Sequence, residues 1–259
     1  MRFIRILILH FEDVLQVRSR ALVYFLLNII NPLMLILFWQ GAFTKQTHIA
    51  GYNHSLMNSY YMLLLIINTT VISHIEEKIA KNDIREGGLV RYLTRPFSYL
   101  LMSFFEELPH RIIQGIYGGI AYLFLSYFIS IPPIVVSFNS IIIVVLAYVL
   151  CFLIQAAISL IAFWIIDLNG VLNIWEVMRM LFSGMLIPLT FLPDWLSSIA
   201  FVLPFAFFIY FPVITLLGNT NVATQIWIIV MQIMWIIIFS LIYKILWHFG
   251  IKKFSGVGQ

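Results

Sequence analysis

Apolar residues along this chain occur in long runs separated by short polar segments. A membrane-spanning helix needs about 20 mostly apolar residues. Six runs approach that length, and they cover residues 21–43, 56–75, 111–131, 137–166, 171–191 and 225–247. The fifth run is more polar than the others. The pattern predicts an all-α membrane protein with six transmembrane helices.

The stretch between the last two runs is apolar but contains Pro193, Pro204 and Pro212. Proline removes a backbone donor and breaks a helix interior. We therefore predict short helices over residues 192–222 that enter the membrane and return to the same side. This external re-entrant segment needs protein or water around its irregular backbone.

Polar residues recur at three- or four-residue steps over residues 3–20. That spacing indicates an amphipathic helix lying in the membrane interface. A frayed N-terminal tail is the alternative, and the periodicity favours the interfacial helix.

Basic residues are distributed unequally between the predicted loops. Of the 15 Lys and Arg residues, 14 lie in or beside the alternate loops that share one side of the membrane, and Arg179 is among them. Lys45 is the exception. Because basic loops stay in the cytoplasm, both termini are predicted to be cytoplasmic.

Composition limits the protein class further. Hydrophobic residues make up 62% of the chain and charged residues 10%, against roughly 25% charged in soluble domains. The polar segments are too short for a separate soluble domain, so residues 1–259 are expected to form one transmembrane domain. The single Cys151 excludes an intrachain disulfide. The net charge of +4 lies around the spans and does not indicate a nucleic-acid partner.

The usual catalytic and metal-binding motifs are missing from the sequence. There is no Walker A pattern, so the chain is not expected to bind ATP through a P-loop. No catalytic residue and no metal site are predicted. One ionisable cluster contains Glu106, Glu107, His110 and Arg111, in which Glu107 and Arg111 lie one helical turn apart and can pair. We favour an interfacial salt bridge there over a proton relay.

The predicted spans carry mainly uncharged polar residues. Ion-coupled carriers usually place ionisable groups near the membrane midplane, and no such site is evident here. Five polar residues could line a path for an amphiphilic substrate: Asn28, Asn31, Asn68, Thr69 and Thr70. They could equally form hydrogen bonds between helices, and packing is the favoured interpretation for any single one. Gly115 and Gly119 have a spacing that permits close helix contact.

A charged segment covers residues 76–98, between the second and third runs. Charges of both signs cannot lie in hydrocarbon, so a cytoplasmic loop is predicted. Gly87 and Gly88 allow a sharp turn. Asp83 with Glu86 three residues later is typical of a capping box.

Two motifs and this topology resemble the permease subunits of ABC-2 type ABC transporters. The first motif, residues 84–100, has the family's Ile, Gly, Leu, Arg and Pro positions. The second, residues 183–205, is similar to the family's external re-entrant helices. The resemblance covers essentially the whole chain, and it implies a multi-pass protein of a bacterial-type cell membrane.

The resemblance also implies partners and roles. Separate ATPase subunits would bind ATP and Mg, so this chain would hold no cofactor and have no enzyme activity. A second permease would pair with it, and we favour a heterodimer. The loop would form a coupling helix that docks on the ATPase through Asp83, Arg85, Glu86, Gly87, Gly88, Leu89, Arg91, Arg95 and Pro96. The external gate would include Pro188, Pro193, Trp195 and Pro204.

The implied function is ATP-driven export of an amphiphile: a drug, peptide, lipid or lipid-linked glycan. The arginines of the loop could instead anchor it to lipid headgroups. An autonomous secondary carrier or a membrane-embedded enzyme is the alternative function, and it would need a charged site within the membrane.

Overall fold

The computed structural model describes residues 8, 10–12, 18–43, 48–49, 51–128, 134–165 and 167–254. Nearly all regular structure in this part of the chain is helical. Two short strands, β1 (His48–Ile49) and β2 (Tyr52–Asn53), pair antiparallel after the first helix. The α-helices are α1 (Arg18–Ala42), α2 (His54–Val71), α3 (Ile75–Glu77), α4 (Val90–Leu93), α5 (Tyr99–Ser126), α6 (Phe138–Ser159), α7 (Asn169–Phe182), α8 (Asp194–Val202), α9 (Tyr210–Leu216) and α10 (Val222–Gly250).

Within the described ranges, three helical stretches are long and apolar enough to cross a membrane. They are His54–Arg85, Phe138–Phe163 and Val222–Lys253. The pair Asp194–Val202 and Pro204–Leu216 would count as a fourth if it forms one broken span, since its two helices meet at a bend of 68°. The predicted helical membrane protein is confirmed, and the count of six spans stays a prediction.

The helices differ from the predicted spans mainly at α5 and α7. α5 begins at Tyr99, well before residue 111. α7 ends at Phe182 rather than continuing to residue 191. The backbone at Gly184 has a φ of +82°, which a helix cannot accommodate. The fifth predicted span is therefore a short helix followed by irregular chain.

α2 lies at the centre of the protein. It packs against α1, α5, α6 and α9, and every residue from Met57 to Leu65 is buried. Apolar residues occupy every face of α2, and small polar residues are scattered among them. Other helices can therefore pack against all of its faces. These four helices are arranged around α2.

The backbone is broken at residues 72–74, between α2 and α3. Gln155 of α6 closes part of the gap, because its Nε2 donates to the Ser73 carbonyl and its Oε1 accepts from the Ser73 hydroxyl. Arg111 of α5 donates to the carbonyl of Ile72, the residue that follows α2. Backbone groups left unpaired in an apolar environment are costly, so these two side chains make the break tolerable.

α10 lies on the outside of the helix assembly. Within its most apolar stretch of 18 residues, only 17% are buried. Its main packing partner is α6. Gln232 is one of its few buried residues, and its Nε2 donates to the carbonyls of Ile143, at 3.0 Å, and Phe207, at 2.8 Å. Gln155 and Gln232 thus hydrogen-bond between elements.

Close contact between α5 and α2 depends on glycine. A Cβ at Gly118 would lie 2.6 Å from Thr69 Oγ1, and one at Gly115 would lie 2.7 Å from Thr70 Oγ1. A Cβ at Gly119 would meet nothing within 4 Å among the described atoms. Close contact was predicted correctly for Gly115, but its companion is Gly118 rather than Gly119.

Two predictions concern residues whose structure is not described. The interfacial helix over residues 3–20 falls largely outside the described residues. Asn28 and Asn31 belong to α1 by their backbone, but their side chains also lie outside the described part.

The helix contact gives a matched pair of variants. Gly118→Leu forces a side chain into α2, and overpacking of this kind costs about 1–3 kcal/mol. Gly119→Leu is the control, because its site is open. We expect a lower unfolding temperature in detergent for Gly118→Leu alone. Equal unfolding temperatures for the two variants would contradict this helix packing.

Candidate functional site

The charged loop begins as a π-helical segment, Lys78–Arg85, that continues from α3. A turn follows at Gly87, where φ is +77°. At Gly88 a Cβ would lie 2.6 Å from the Asn82 carbonyl oxygen. The predicted turn is therefore present, and both positions require glycine. It reverses the chain into α4.

Asp83 holds this turn from inside the protein. Its side chain is buried, and its Oδ2 accepts a hydrogen bond of 2.6 Å from the Tyr99 hydroxyl. Arg91 Nη2 lies 3.3 Å from Oδ1 of the same carboxylate. The predicted capping box is wrong, because Asp83 lies within the π-helical segment and α4 begins only at Val90.

A second set of contacts ties α4 to α5. The Tyr92 hydroxyl donates to Glu106 Oε2 over 3.0 Å, and Lys78 Nζ donates to the same oxygen over 2.7 Å. Burial and the nearby Glu106 carboxylate raise the pKa of Tyr92. Ile79, Ile84 and Leu89 pack in the same apolar cluster as Tyr92. The loop is therefore a folded unit whose apolar residues share a core with α5, α6 and α10.

The predicted docking residues divide into two groups. Asp83 and Leu89 are buried, and Arg85 Nη2 donates to the Ile165 carbonyl at 3.0 Å, which ties the loop to the segment before α7. We define the loop face as six exposed residues of the turn, α4 and the segment that follows it: Glu86, Val90, Arg91, Leu93, Arg95 and Pro96.

Two members of the loop face were missed from the sequence. Val90 is 44% exposed and Leu93 47% exposed. Their three-residue spacing within a charged segment is the signal that could have identified them, since it places two apolar side chains on one side of a helical turn. The loop face therefore combines an apolar pair with basic residues.

A polar cleft of about 760 Å³ opens between α2, α5, α7 and the beginning of the loop. Asn68 and Thr69, predicted as path residues, are among its lining side chains. Thr70 is not among them; it packs on Gly115, and its hydroxyl donates to the Ile66 carbonyl. The cleft thus brings together two of the three predicted path residues whose side chains are described.

Two ion pairs line the cleft, one on α5 and one on α7. Arg111 Nε lies 2.8 Å from Glu107 Oε1 on α5, as the helical spacing predicted. On α7, Arg179 Nε donates to Glu176 Oε2 over 3.1 Å, and Nη2 bonds the other carboxylate oxygen. Because of these ion pairs, the cleft has charged side chains in its walls although the surrounding helices are mainly apolar.

The cleft bears on two expectations. Arg179 was assigned to the cytoplasmic side; it is buried within α7 and lines the cleft, and its side of the membrane stays a prediction. The predicted spans were expected to carry mainly uncharged polar residues, whereas Glu176 and Arg179 form an ion pair within the fifth. Their three-residue spacing inside a predicted span was the signal available in the sequence.

The predicted external gate lies around α8. Pro188 and Pro204 are buried, whereas Pro193 and Trp195 are exposed. The segment before α8 is held by α2: the Tyr60 hydroxyl donates to the Gly184 carbonyl at 2.6 Å, and the Tyr61 hydroxyl to the Leu186 carbonyl at 2.7 Å. α2 therefore contacts both the cleft and this segment.

Comparison with known proteins gives one family match. A family model described as an ABC-2 family transporter protein matches residues 29–258. The searches of curated proteins and of solved structures find no match to the chain. The matched range includes the loop, the cleft and α8.

The anchor at Asp83 can be tested by a double-mutant cycle. Asp83→Ala leaves the buried Tyr99 hydroxyl without its acceptor, and a buried unpaired group costs about 1–3 kcal/mol. We expect faster hydrogen exchange over residues 83–96 and a lower unfolding temperature. Asp83→Ala with Tyr99→Phe removes both partners and should recover part of the loss.

Glu86→Gln, on the exposed side of the same turn, is the control and should leave exchange unchanged. Additive effects of Asp83→Ala and Tyr99→Phe would show that the two side chains do not act as a pair.

Proposed function

The chain belongs to the ABC-2 family of transporter proteins, and we propose that it is the membrane-spanning permease subunit of an ATP-driven exporter. The family match supports a membrane transport component that is not itself catalytic. ATP and Mg would bind to separate ATPase subunits. The observation that carries the coupling part of the proposal is the loop face, an apolar and basic surface on a rigidly held turn.

The proposed topology has six spans, formed by α1, α2, α5, α6, α7 and α10. α8 and α9 would form the external re-entrant segment, for which their 68° bend is suited. Both termini would face the cytoplasm of a bacterial-type cell, since nearly all basic residues fall on that side. This orientation places the loop face in water and the cleft mouth on the cytoplasmic side.

The loop face would dock on an ATPase subunit. Val90 and Leu93 expose apolar area that water disfavours, which is typical of a surface that a protein covers. Arg91 and Arg95 surround this pair and suit an acidic rim on the partner. Lipid anchoring would account for the arginines and for the apolar pair, whereas docking also accounts for the buried Asp83 that holds the turn in one conformation.

Transport would proceed along an interface with a second permease, and we favour a heterodimer. ATP-driven movement of the loop would alternate the path between inward-open and outward-open states. Asn68 and Thr69 would line the inward side. Pro188, Pro193, Trp195 and Pro204 would belong to the external gate. The substrate would be an amphiphile.

The cleft also bears on the alternative function. A secondary carrier requires ionisable groups at depth in the membrane, and Arg111 and Arg179 with their carboxylates supply such groups. Family membership favours the ATP-driven exporter. A carrier of this kind would transport without a partner ATPase, so the partner test below separates the two functions.

Docking predicts that one substitution on the loop face releases the ATPase. Leu93→Asp replaces an apolar contact by a charge, and losing one buried leucine costs about 1.5–3 kcal/mol. We expect the tagged wild-type chain, purified in mild detergent, to carry an ATP-binding cassette protein with ATPase activity. Leu93→Asp should lose about 90% of that activity or more.

Ser98→Asp is the matched control, because it adds the same charge to an exposed residue at the start of α5, where aspartate is a good N-cap. It should retain the ATPase. Purification of the wild-type chain without any ATP-binding protein, together with transport by the chain alone, would establish the carrier instead.

A further inference from the structure

Arg179 has a donor that the protein leaves unused. Its side chain is only 4% exposed, and Glu176 occupies its Nε and Nη2. Among the described residues, Nη1 is buried without a hydrogen-bond partner. An unpaired donor on a buried charge is unfavourable, so this side chain is prepared for a group that the protein does not supply.

Asn68, on the wall of the cleft formed by α2, offers an acceptor where Arg179 offers a donor. It is 8% exposed, and its Oδ1 has no hydrogen-bond partner within the described part of the chain. Both residues line the same cleft. A ligand that satisfies both side chains needs an acceptor for Arg179 and a donor, such as a hydroxyl, for Asn68.

The donor of Arg179 favours an anion. The cleft lining contains four cations, Lys78, Lys81, Arg111 and Arg179, and three carboxylates, Glu77, Glu107 and Glu176. Because Lys78 is also paired with Glu106, these charges balance, and the preference for an anion rests on the unpaired donor. Charge-assisted hydrogen bonds are strongest away from water. The planar guanidinium matches the oxygens of phosphate and carboxylate groups.

Arg111 is less available than Arg179. It is held by Glu107, and its Nη1 donates to the Ile72 carbonyl at the end of α2. Arg111 therefore contributes positive charge and part of the wall of the cleft, whereas Arg179 contributes the donor that a ligand could use.

The exposed surface of α7 is apolar. Arg179 lies ten residues into α7, about 15 Å from its start at Asn169. Ile174 at 64%, Val177 at 53% and Met178 at 41% are exposed on faces of the helix that lie about 100° or more around its axis from Arg179, which lines the cleft. An amphiphile with its headgroup in the cleft would therefore pass its chain around α7 to reach this apolar surface.

We infer that the cleft binds the acidic headgroup of an amphiphile, with Arg179 as the principal anchor. Arg179 donates through Nη1 to a phosphate or carboxylate oxygen, Asn68 accepts from a hydroxyl, and the chain passes around α7 to its apolar surface. This inference rests on the proposed function and specifies its substrate class.

The test measures binding to the full-length chain in a nonionic detergent by thermal-shift titration. The probes are a lysophosphatidate, the lysophosphatidylcholine with the same acyl chain, and inorganic phosphate. We expect the lysophosphatidate to raise the unfolding temperature at concentrations where the other two have no effect. An equal effect of the choline probe, or of phosphate alone, would overturn an acidic amphiphile as the ligand.

Two variants on α7 should act in opposite directions. Arg179→Gln should weaken lysophosphatidate binding about tenfold, the loss of one charge-assisted hydrogen bond. Glu176→Gln releases Nε and Nη2 and should strengthen binding several-fold. If both variants weaken binding equally, Arg179 and Glu176 form only a structural ion pair and the inference fails.

Lys252→Gln is the control, because it removes an exposed cation outside the cleft, and it should bind as the wild type does. If Arg179→Gln does not fold, two other single variants replace it in the test. Glu176→Gln must strengthen lysophosphatidate binding, and Asn68→Leu must weaken it. The titration needs no ATPase. If the chain captures an ATPase but does not bind the lysophosphatidate, only this inference fails and the proposed function stands.

Discussion

The broken backbone after α2 is the constraint on which the rest of the structure depends. A helix interrupted within an apolar environment leaves carbonyl groups that water cannot reach, so protein side chains must bond them. Gln155 and Arg111 do so from two different helices. This requirement fixes how α5 and α6 approach α2, and it brings a guanidinium deep between helices where charge would otherwise be unfavourable. The cleft is therefore a by-product of the same contacts that allow the break.

The break also joins two regions of different character. Before it, α2 is buried on all sides and contacts the segment at Gly184. After it, the chain forms a folded loop around Asp83 and Tyr92. Lys78 belongs to both regions, because it lines the cleft and bonds Glu106 in the loop's own network. Lys78 thus links the contacts of the loop to the lining of the cleft.

Local chemistry made part of this arrangement predictable. The apolar runs indicated the helices, the glycine pair indicated the turn at Gly87, and the four-residue spacing indicated the pairing of Glu107 with Arg111. Asp83 was misassigned because its local pattern is typical of a helix cap, whereas its actual partner, Tyr99, belongs to another element. The cleft was missed for a similar reason. Arg179 and Asn68 are more than 100 residues apart, and their proximity follows from tertiary packing, which spacing along the chain does not report.

The contacts of α2 have a consequence for biosynthesis. Tyr60 and Tyr61 are synthesised early, but their acceptors at Gly184 and Leu186 follow about 125 residues later. At 5–20 residues per second, a ribosome needs about 6–25 s to supply them. During that interval the hydroxyls of a newly inserted α2 lack their final partners, as does the backbone at Ser73. The nascent helix must therefore be sheltered by the insertion machinery or by provisional neighbours until the second half of the protein arrives.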